Sequence, residues 1–355
     1  MCGVVGQLPD RLSDPLSARL RDRLEALSAR VADPGAGRLA DELVAPVRVG
    51  VTGRAGGGRR TVARALAGAG MAVAEPADVD VHLLTETLKP EDLHAIGTAS
   101  RPTVVILNKA DLAGFGGDGP VAAAARRCLL LGELAGTTVY PLAGLAAAAA
   151  LDDTVVDDAL VGALRVLGVD PADLGSTDRF VRGEHRVPHA VRQRLLAELD
   201  LFGIAHGVRA VRDVGSGEAR HAVRVALRRA SGVDAVLAAI TAAAAPVRYL
   251  RLTRALSALG AAVAIADTGA DPIAEFLAGD DVIAARMAAA TQVVEAVGMT
   301  VDRDRSRAAH LRRAVLWQRY SRGPVSPLQG RCGADIARGS LRLWERAGGV
   351  AEALG

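Results

Sequence analysis

The segment Pro102-Thr103-Val104-Val105-Ile106-Leu107-Asn108-Lys109-Ala110-Asp111 decides the fold of this chain. Its first six residues form an apolar, largely β-branched run, which predicts a strand buried on both faces of a parallel sheet. The polar residues that follow are unusual for this sequence. Asn108 is the only asparagine in the chain, and Lys109 is one of two lysines. The chain therefore places two of its rarest residues directly after its clearest strand.

A glycine-rich loop precedes this segment by about 50 residues and follows a predicted strand at 47–52. It reads Gly53-Arg54-Ala55-Gly56-Gly57-Gly58-Arg59-Arg60-Thr61 and opens a predicted helix at 59–69. The phosphate-binding P-loop has the pattern GxxxxGK[ST], and its backbone N–H groups hold phosphate at the helix N-terminus. Here both end glycines are present, Arg59 stands at the lysine position, Arg60 at the hydroxyl position, and Thr61 one residue late. The alternative is a tight turn whose glycines serve close packing.

Strands and helices alternate between residues 47 and 142, which predicts a parallel sheet with helices on both faces. Ligands of such sheets bind at the carboxyl ends of the strands, and both polar motifs follow a strand end. The predicted strands are 47–52, 71–74, 79–84, 102–107 and 138–141, and the predicted helices between them are 59–69, 90–98 and 121–134.

Helical patterns alone follow residue 145, among them predicted helices at 233–245, 248–260 and 272–297, and leucines at helical spacing mark residues 10–45. The predicted fold class is therefore α/β, with a parallel sheet, a helical N-terminal segment and an all-α C-terminal region. The predicted domains are 1–45, 46–145 and 146–355.

The composition sets few constraints on partners. Half of the residues are apolar, and the net charge of +3 is small for this length, so no nucleic-acid partner is expected. Cys2, Cys128 and Cys332 are far apart and predict reduced thiols in a cytoplasmic protein. No segment reaches the roughly 18–20 consecutive apolar residues that a membrane helix needs, so a soluble chain is expected.

Residues 303–322 hold seven arginines against one aspartate, with Trp317 and Tyr320 between them. One interpretation is a basic amphipathic helix for anionic lipid or nucleic acid, which would bring the protein to a membrane surface. The other is a solvated arginine face on a helix that packs through four apolar residues, Ala309, Leu311, Val315 and Leu316.

The order of glycine loop, strands and Asn108-Lys109-Ala110-Asp111 resembles the P-loop GTPase superfamily over residues 47–145. Tyr140 to Gly144 is similar to the weak fifth motif of that family. The helical segments before and after this region are similar in organisation to bacterial dynamin-like proteins. The resemblance implies a truncated P-loop G domain that binds GTP or GDP, with Mg²⁺ at the phosphates.

The resemblance also implies a role for each matching residue. The Asp111 carboxylate would accept hydrogen bonds from N1–H and the exocyclic amine of guanine, a pair that adenine cannot supply. The Lys109 stem would pack along the base, Asn108 would tie this loop to the phosphate loop, and Ala143 would offer its N–H to guanine O6. The expected phosphate-side residues are Gly53, Gly56, Gly57, Gly58, Arg59, Arg60 and Thr61, with Thr61 as the candidate metal ligand. The alternative for Asn108 to Asp111 is a capping turn after a strand.

The sequence lacks the parts of the P-loop GTPase pattern that serve GTP hydrolysis. Only about ten residues separate the helix that ends near Ala69 from the strand at Val79, too few for two switch regions. No DxxG occurs there, and Asp78 and Asp80 are the only acids that could approach a magnesium ion. We therefore expect a guanine-nucleotide-binding protein with weak or absent GTP hydrolysis, whose helical region couples nucleotide state to a partner protein or a second copy.

Two alternatives stay open. The first is a pseudo-GTPase interaction module that binds no nucleotide. The second is a different P-loop enzyme such as a nucleotide kinase, in which Asn108-Lys109-Ala110-Asp111 would have no role. Whether the chain is a slow GTPase or not an enzyme at all is not decided by the sequence.

Overall fold

The computed structural model describes residues 20, 22–27, 38–39, 41–43, 45–114, 119–212, 214–215, 217–265 and 270–348, without the side chains of 262–265 and 270–271. The chain forms two compact units. One is continuous, from Val47 to Ile240, and the other joins the segment before residue 47 to the segment after residue 240.

Five parallel strands form one sheet in the order β2-β1-β3-β4-β5. The predicted α/β class with an all-parallel sheet is confirmed. The strands are β1 Arg48–Gly53, β2 Ala72–Val73, β3 Val79–Thr85, β4 Thr103–Asn108 and β5 Val139–Leu142.

The strand β3 lies at the centre of the sheet, next to β4, and these two strands are the most buried. Every residue of β4 from Val104 to Asn108 is buried. Successive side chains of a strand point to opposite faces, so burial of the whole run requires helices on both sides. On one face a cluster joins the sheet to the helices that follow β3 and β4: Leu84, Val105, Leu107, Cys128, Leu131 and Val139.

The sheet unit continues well beyond residue 145. Its first three helices are α1 Arg59–Gly68, α2 Pro90–Gly97 and α3 Pro120–Ala135. Five more follow β5: α4 Gly144–Leu151, α5 Asp158–Val169, α6 Thr177–Arg182, α7 His189–Arg212 and α8 Ala219–Ser231.

The helix α4 explains why the sheet unit differs from the predicted domain 46–145. Its residues from Ala146 to Ala150 are all buried, so other helices must cover it. A Cβ added to Gly68 of α1 would lie 2.9 Å from the Leu151 carbonyl carbon, which shows how closely the two helices approach. The apolar run at 141–151 is therefore the end of a strand followed by a core helix, and the helices after it belong to the same unit.

Only helices occur among the described residues of the second unit. They include residues 22–27, the later part of α9 Val233–Ile265, α10 Ala270–Ala278, α11 Asp280–Ala296, α12 Arg307–Ser321 and α13 Pro327–Arg346. Of the predicted N-terminal leucine stripe, Leu20, Leu24 and Leu27 are buried in a cluster with Leu252 and Leu256 of α9. Leu12 and Leu16 lie outside the described residues.

Two predicted helix boundaries in this region are wrong. Residues 233–245 and 248–260 form one helix, which includes Pro246. Residues 272–297 form two helices, because the chain leaves the helical conformation at Gly279 (φ −69°, ψ 151°). The core of the unit holds a buried carboxylate, Asp335, which accepts a hydrogen bond from the Tyr249 hydroxyl at 2.8 Å and pairs with Arg286.

The expectation that no segment is long and apolar enough to span a membrane is wrong for one helix. Residues Val233–Ala261 pass that test by length and composition, with a mean hydropathy of 1.4 in the most apolar window. Within that window 39% of the residues are buried inside the protein.

Candidate functional site

Asn108 joins the two predicted loops through its side chain. At the end of β4, its Nδ2 donates to the Gly57 carbonyl at 2.8 Å, and its Oδ1 accepts from the Gly144 N–H at 3.1 Å. Only 4% of the residue is exposed. An amide carries a donor and an acceptor on one planar group, so one side chain can hold both backbone segments. The expected tie between the Asn108 loop and the glycine loop is confirmed.

The glycine loop has backbone angles that favour glycine. Gly53, Gly56 and Gly58 have φ values of 125°, 78° and 85°. In addition, a Cβ at Gly53 would lie 2.6 Å from the Leu83 carbonyl oxygen. The loop ends at Gly58, where α1 begins, so the unpaired N–H groups of the first turn open next to it.

A cavity of about 710 Å³ lies beside this loop and the start of α1. Arg59, Arg60 and Thr61 line it from the helix, and Glu75 lines it from the segment after β2. Among the described residues, no hydrogen bond or ion pair engages the side chain of Arg59 or Arg60, and both residues are exposed. Five of the seven predicted phosphate-side residues thus line one cavity: Gly56, Gly58, Arg59, Arg60 and Thr61. Gly53 and Gly57 do not line it.

Arg54 of the same loop points away from the cavity. Its Nη2 donates to the carbonyl oxygens of Thr85 and Thr87 at 3.3 and 3.0 Å, and its Nε lies 3.4 Å from Asp92 Oδ2. The buried Asp92 also contacts His82 Nε2 at 3.1 Å, and His82 Nδ1 lies 3.1 Å from the Thr52 hydroxyl.

Sequence patterns do not predict this chain of polar contacts beneath the glycine loop. Its one sequence signal is His82, a polar residue in the middle of an apolar strand. The contacts fix the strand ends on which the loop rests.

The loop that contains Lys109 and Asp111 turns sharply after β4. Lys109 has φ 59°, an uncommon conformation for a residue with a side chain, and its side chain is exposed. A short 3₁₀ turn at Ala110–Leu112 follows and carries Asp111, which is half-buried. Burial, and then the nearby carboxylate of Asp200, raise the pKa of Asp111 above its ordinary value of 3.8. Asp200 lies where α7 breaks, with φ 56° and ψ 175°.

The role that the resemblance implies for Ala143 does not fit the structure. The Ala143 N–H donates to the Ser231 carbonyl at 2.9 Å, so it is not free to meet guanine O6. The next amide, of Gly144, is held by Asn108. Ser231 lies at the end of α8 and is distant from Ala143 in sequence, so the sequence did not predict this contact.

Asp78 and Asp80 do not face the glycine loop. Asp78 accepts from the Arg48 backbone N–H at 2.8 Å, at the first residue of β1. Asp80 pairs with Arg101 at 3.0 Å and lies in register with Gly50. Both carboxylates therefore lie toward the amino ends of the strands, whereas the loop lies at the carboxyl ends.

The two described cysteines are buried, free thiols. Burial raises the pKa of Cys128 to about 11 and that of Cys332 to about 12, so neither is ionised at neutral pH. Cys2 lies outside the described residues. No group of three or more metal-binding side chains occurs in the described part of the chain.

The helix α12 buries a different face from the one expected for residues 303–322. Of the four predicted packing residues only Ala309 is buried, whereas Leu311, Val315 and Leu316 are 40%, 46% and 61% exposed. The inward face instead carries His310, Arg313, Ala314 and Trp317. Arg313 is accommodated there because its Nη1 donates to the Asp302 carbonyl at 2.7 Å and its Nε to the Ser340 hydroxyl at 2.9 Å.

A methyl group at Gly144 should destabilise the sheet unit, because the added Cβ would lie 2.6 Å from Asn108 Oδ1. We expect Gly144→Ala to lower the free energy of unfolding by about 1–3 kcal/mol. The control is Gly162→Ala in α5, where nothing lies within 4 Å of the added Cβ. That change should be neutral or stabilise by up to about 1 kcal/mol. Equal effects in urea denaturation would contradict the proposed tie.

Removing the charge of Asp200 should lower the pKa of Asp111, because the like charge disfavours the Asp111 carboxylate. The change Asp200→Asn retains an oxygen for the Leu201 N–H and tolerates a positive φ. Carboxyl-carbon NMR titration of the two proteins measures the shift. The exposed control Asp178→Asn should leave the titration of Asp111 unchanged, and an unchanged titration in Asp200→Asn would refute the interaction.

No protein family, no curated protein and no solved structure matches this chain. The interpretation of the site therefore depends on the chemistry and geometry of its own residues.

Proposed function

We propose that this chain is a guanine-nucleotide-binding protein with a truncated P-loop-type domain, and that it hydrolyses GTP weakly or not at all. The observation that carries the proposal is the double hydrogen bond of Asn108 to Gly57 and Gly144. One nucleotide must span a base site and a phosphate site at a fixed separation. A buried side chain that fixes the distance between the two loops supports such a site.

The base side of the proposal depends on Asp111. Guanine presents two adjacent N–H donors that match a carboxylate, whereas adenine would leave the carboxylate unsatisfied. Asp111 is half-buried on a turn whose first residue, Lys109, has a positive φ. Uncommon backbone conformations cluster at ligand sites, which further supports this position.

Weak hydrolysis follows from what surrounds the phosphate side. Hydrolysis in P-loop GTPases needs Mg²⁺ and a positioned water. The strand β2 has only two residues, and Asp78 and Asp80 are bound to Arg48 and Arg101 near the amino ends of the strands. Among the described residues, Glu75 is the carboxylate that lines the cavity at the start of α1, and its Oε2 already accepts from the Ala77 N–H at 3.0 Å.

The alternative is an interaction module that binds no nucleotide. Two observations favour it: Arg60 at the hydroxyl position of the loop, and the engagement of the Ala143 N–H by Ser231. The nucleotide-binding proposal is preferred because the cavity at the glycine loop and the Asn108 tie are both present.

The helical extension of the sheet unit offers a route from nucleotide to partner. Ser231 at the end of α8 contacts Ala143, and the charge of Asp200 in α7 acts on Asp111. Both interactions lie on the side of the proposed site where the base would bind. A nucleotide that disrupted either interaction would move α7 or α8. The partner that responds to this movement would be a second protein or another copy of this chain.

Calorimetry with GDP, GTP and ATP tests the proposal. We expect both guanine nucleotides to bind at micromolar concentration and ATP to bind at least tenfold more weakly, since two hydrogen bonds to a carboxylate are lost. Asp111→Asn should weaken GDP binding and favour xanthosine diphosphate, with the exposed change Asp178→Asn as the control. Absence of binding by any of the three nucleotides would favour the interaction module instead.

We also propose that this protein is cytoplasmic and that the exposed face of α12 binds anionic lipid at a membrane surface. Residues 305–334 contain no acidic residue and seven arginines, all of them exposed except Arg313. The exposed leucines and valine lie among those arginines, whereas Trp317 is buried and offers no ring for stacking on bases. Aliphatic side chains beside arginines fit the boundary between lipid headgroups and acyl chains better than they fit nucleic acid.

Vesicle sedimentation tests this contact. The full chain should bind vesicles that contain phosphatidylserine and not vesicles of phosphatidylcholine alone, because each arginine near an anionic surface contributes about 1 kcal/mol. Leu316→Glu should reduce binding, whereas Leu134→Glu, at a leucine of α3 that is 70% exposed, should not. Equal binding to both vesicle types, or none, would refute the contact.

A further inference from the structure

Two consecutive arginines at the start of α1 bring two positive charges to the candidate phosphate site. Arg59 and Arg60 follow the glycine loop directly, line the cavity beside it, and are exposed. No acidic residue occurs in the first turn of α1. Within the described part of the chain, neither guanidinium has a carboxylate partner. The site therefore offers two free positive charges in addition to the positive end of the helix dipole.

The resemblance to P-loop GTPases implies Mg²⁺ here, and the residues do not fit that ion. Mg²⁺ binds oxygen ligands in octahedral geometry at about 2.0–2.1 Å. Arg60, at the position of the expected hydroxyl, has no oxygen in its side chain and carries a positive charge that repels the ion. Thr61 has a hydroxyl, but successive helical residues point about 100° apart, so it does not replace the side chain before it.

The carboxylate of Glu75 also lines this cavity, but it lies beside Gly50 and not at the glycine loop. Glu75 Oε2 accepts from the Ala77 N–H at 3.0 Å, and Glu75 Oε1 lies 2.6 Å from the position of a Cβ on Gly50. Gly50 precedes Gly53 by three residues, which is about 10 Å along a strand. Together with Asp78 and Asp80, the acids of this region therefore lie toward the amino ends of the strands.

We propose that the phosphate side of this site binds the guanine nucleotide as the free anion, without Mg²⁺, and that Arg59 and Arg60 take the place of the metal. The inference rests on the nucleotide-binding function proposed above. Guanidinium groups bind phosphate oxygens through paired, charge-assisted hydrogen bonds and stay protonated at any physiological pH. Because Mg²⁺ neutralises the same phosphate oxygens, the metal competes with the two arginines for the nucleotide.

Calorimetry of the full chain with GDP tests the inference, in EDTA and in excess Mg²⁺. The affinity in EDTA should equal or exceed the affinity in Mg²⁺. Arg60→Ser removes one cation and restores a hydroxyl, so it should weaken binding in EDTA by about tenfold and make Mg²⁺ strengthen binding. Arg220→Ala, at an exposed arginine that pairs with Asp158, is the matched control and should behave as the unchanged chain.

The outcomes separate this inference from the function on which it rests. Binding that requires Mg²⁺ would overturn the inference and leave the nucleotide-binding function standing. An unchanged affinity of Arg60→Ser in EDTA would also overturn it. Absence of GDP binding under both conditions, in a chain whose circular dichroism shows a folded protein, would overturn the nucleotide-binding function and the inference together.

Discussion

The candidate site depends on one buried amide. The Asn108 side chain spans from the Gly57 carbonyl to the Gly144 N–H, and it can do so because the buried strand β4 ends at that residue. Glycine is required at Gly58 and Gly144, because a Cβ at either position would collide with the amide. Loss of either hydrogen-bond partner would leave a buried polar group unsatisfied and lower the stability of the fold. The Asn108 amide therefore fixes the positions of the glycine loop, the end of β4 and the start of α4 relative to one another.

The sequence predicts the parts of this arrangement that local patterns determine. The apolar run of β4 predicts a buried strand of a parallel sheet, the glycines predict a loop before α1, and the resemblance to P-loop GTPases implies the tie that Asn108 makes between the loops. Each of these signals lies within about ten residues. They determine the five-stranded parallel sheet and the strand ends at which the site lies.

The features that the sequence did not predict arise from contacts between distant segments. The Ala143 N–H is occupied by Ser231, and the charge of Asp200 acts on Asp111 from a break in α7. Helical spacing alone also gave the wrong inward face for α12, because Arg313 is buried through partners on a loop and on α13. Propensity and periodicity carry no information on such partners. The sheet unit extends past residue 145 for the same reason, since α4 needs other helices to cover it.

The two halves of the proposed site match the residue pattern of P-loop GTPases to different extents. The base side keeps a carboxylate on a tight turn, whereas the phosphate side replaces a lysine and a hydroxyl with two free arginines. Under the proposed function, this asymmetry would favour nucleotide binding over hydrolysis, because guanidinium groups bind phosphate oxygens but do not activate a water molecule for attack. Ser231 at the end of α8 contacts Ala143, and the charge of Asp200 in α7 acts on Asp111, so under the proposed function these are the helices that a bound base would affect.

Amide hydrogen exchange of the full chain, with and without GDP, tests the central claim most directly. The account predicts slower exchange on GDP binding in two separate segments, 53–61 and 108–112, with little change in α12 and α13. Protection confined to other segments, or no protection at a GDP concentration of several hundred micromolar, would contradict a guanine-nucleotide site held together by Asn108.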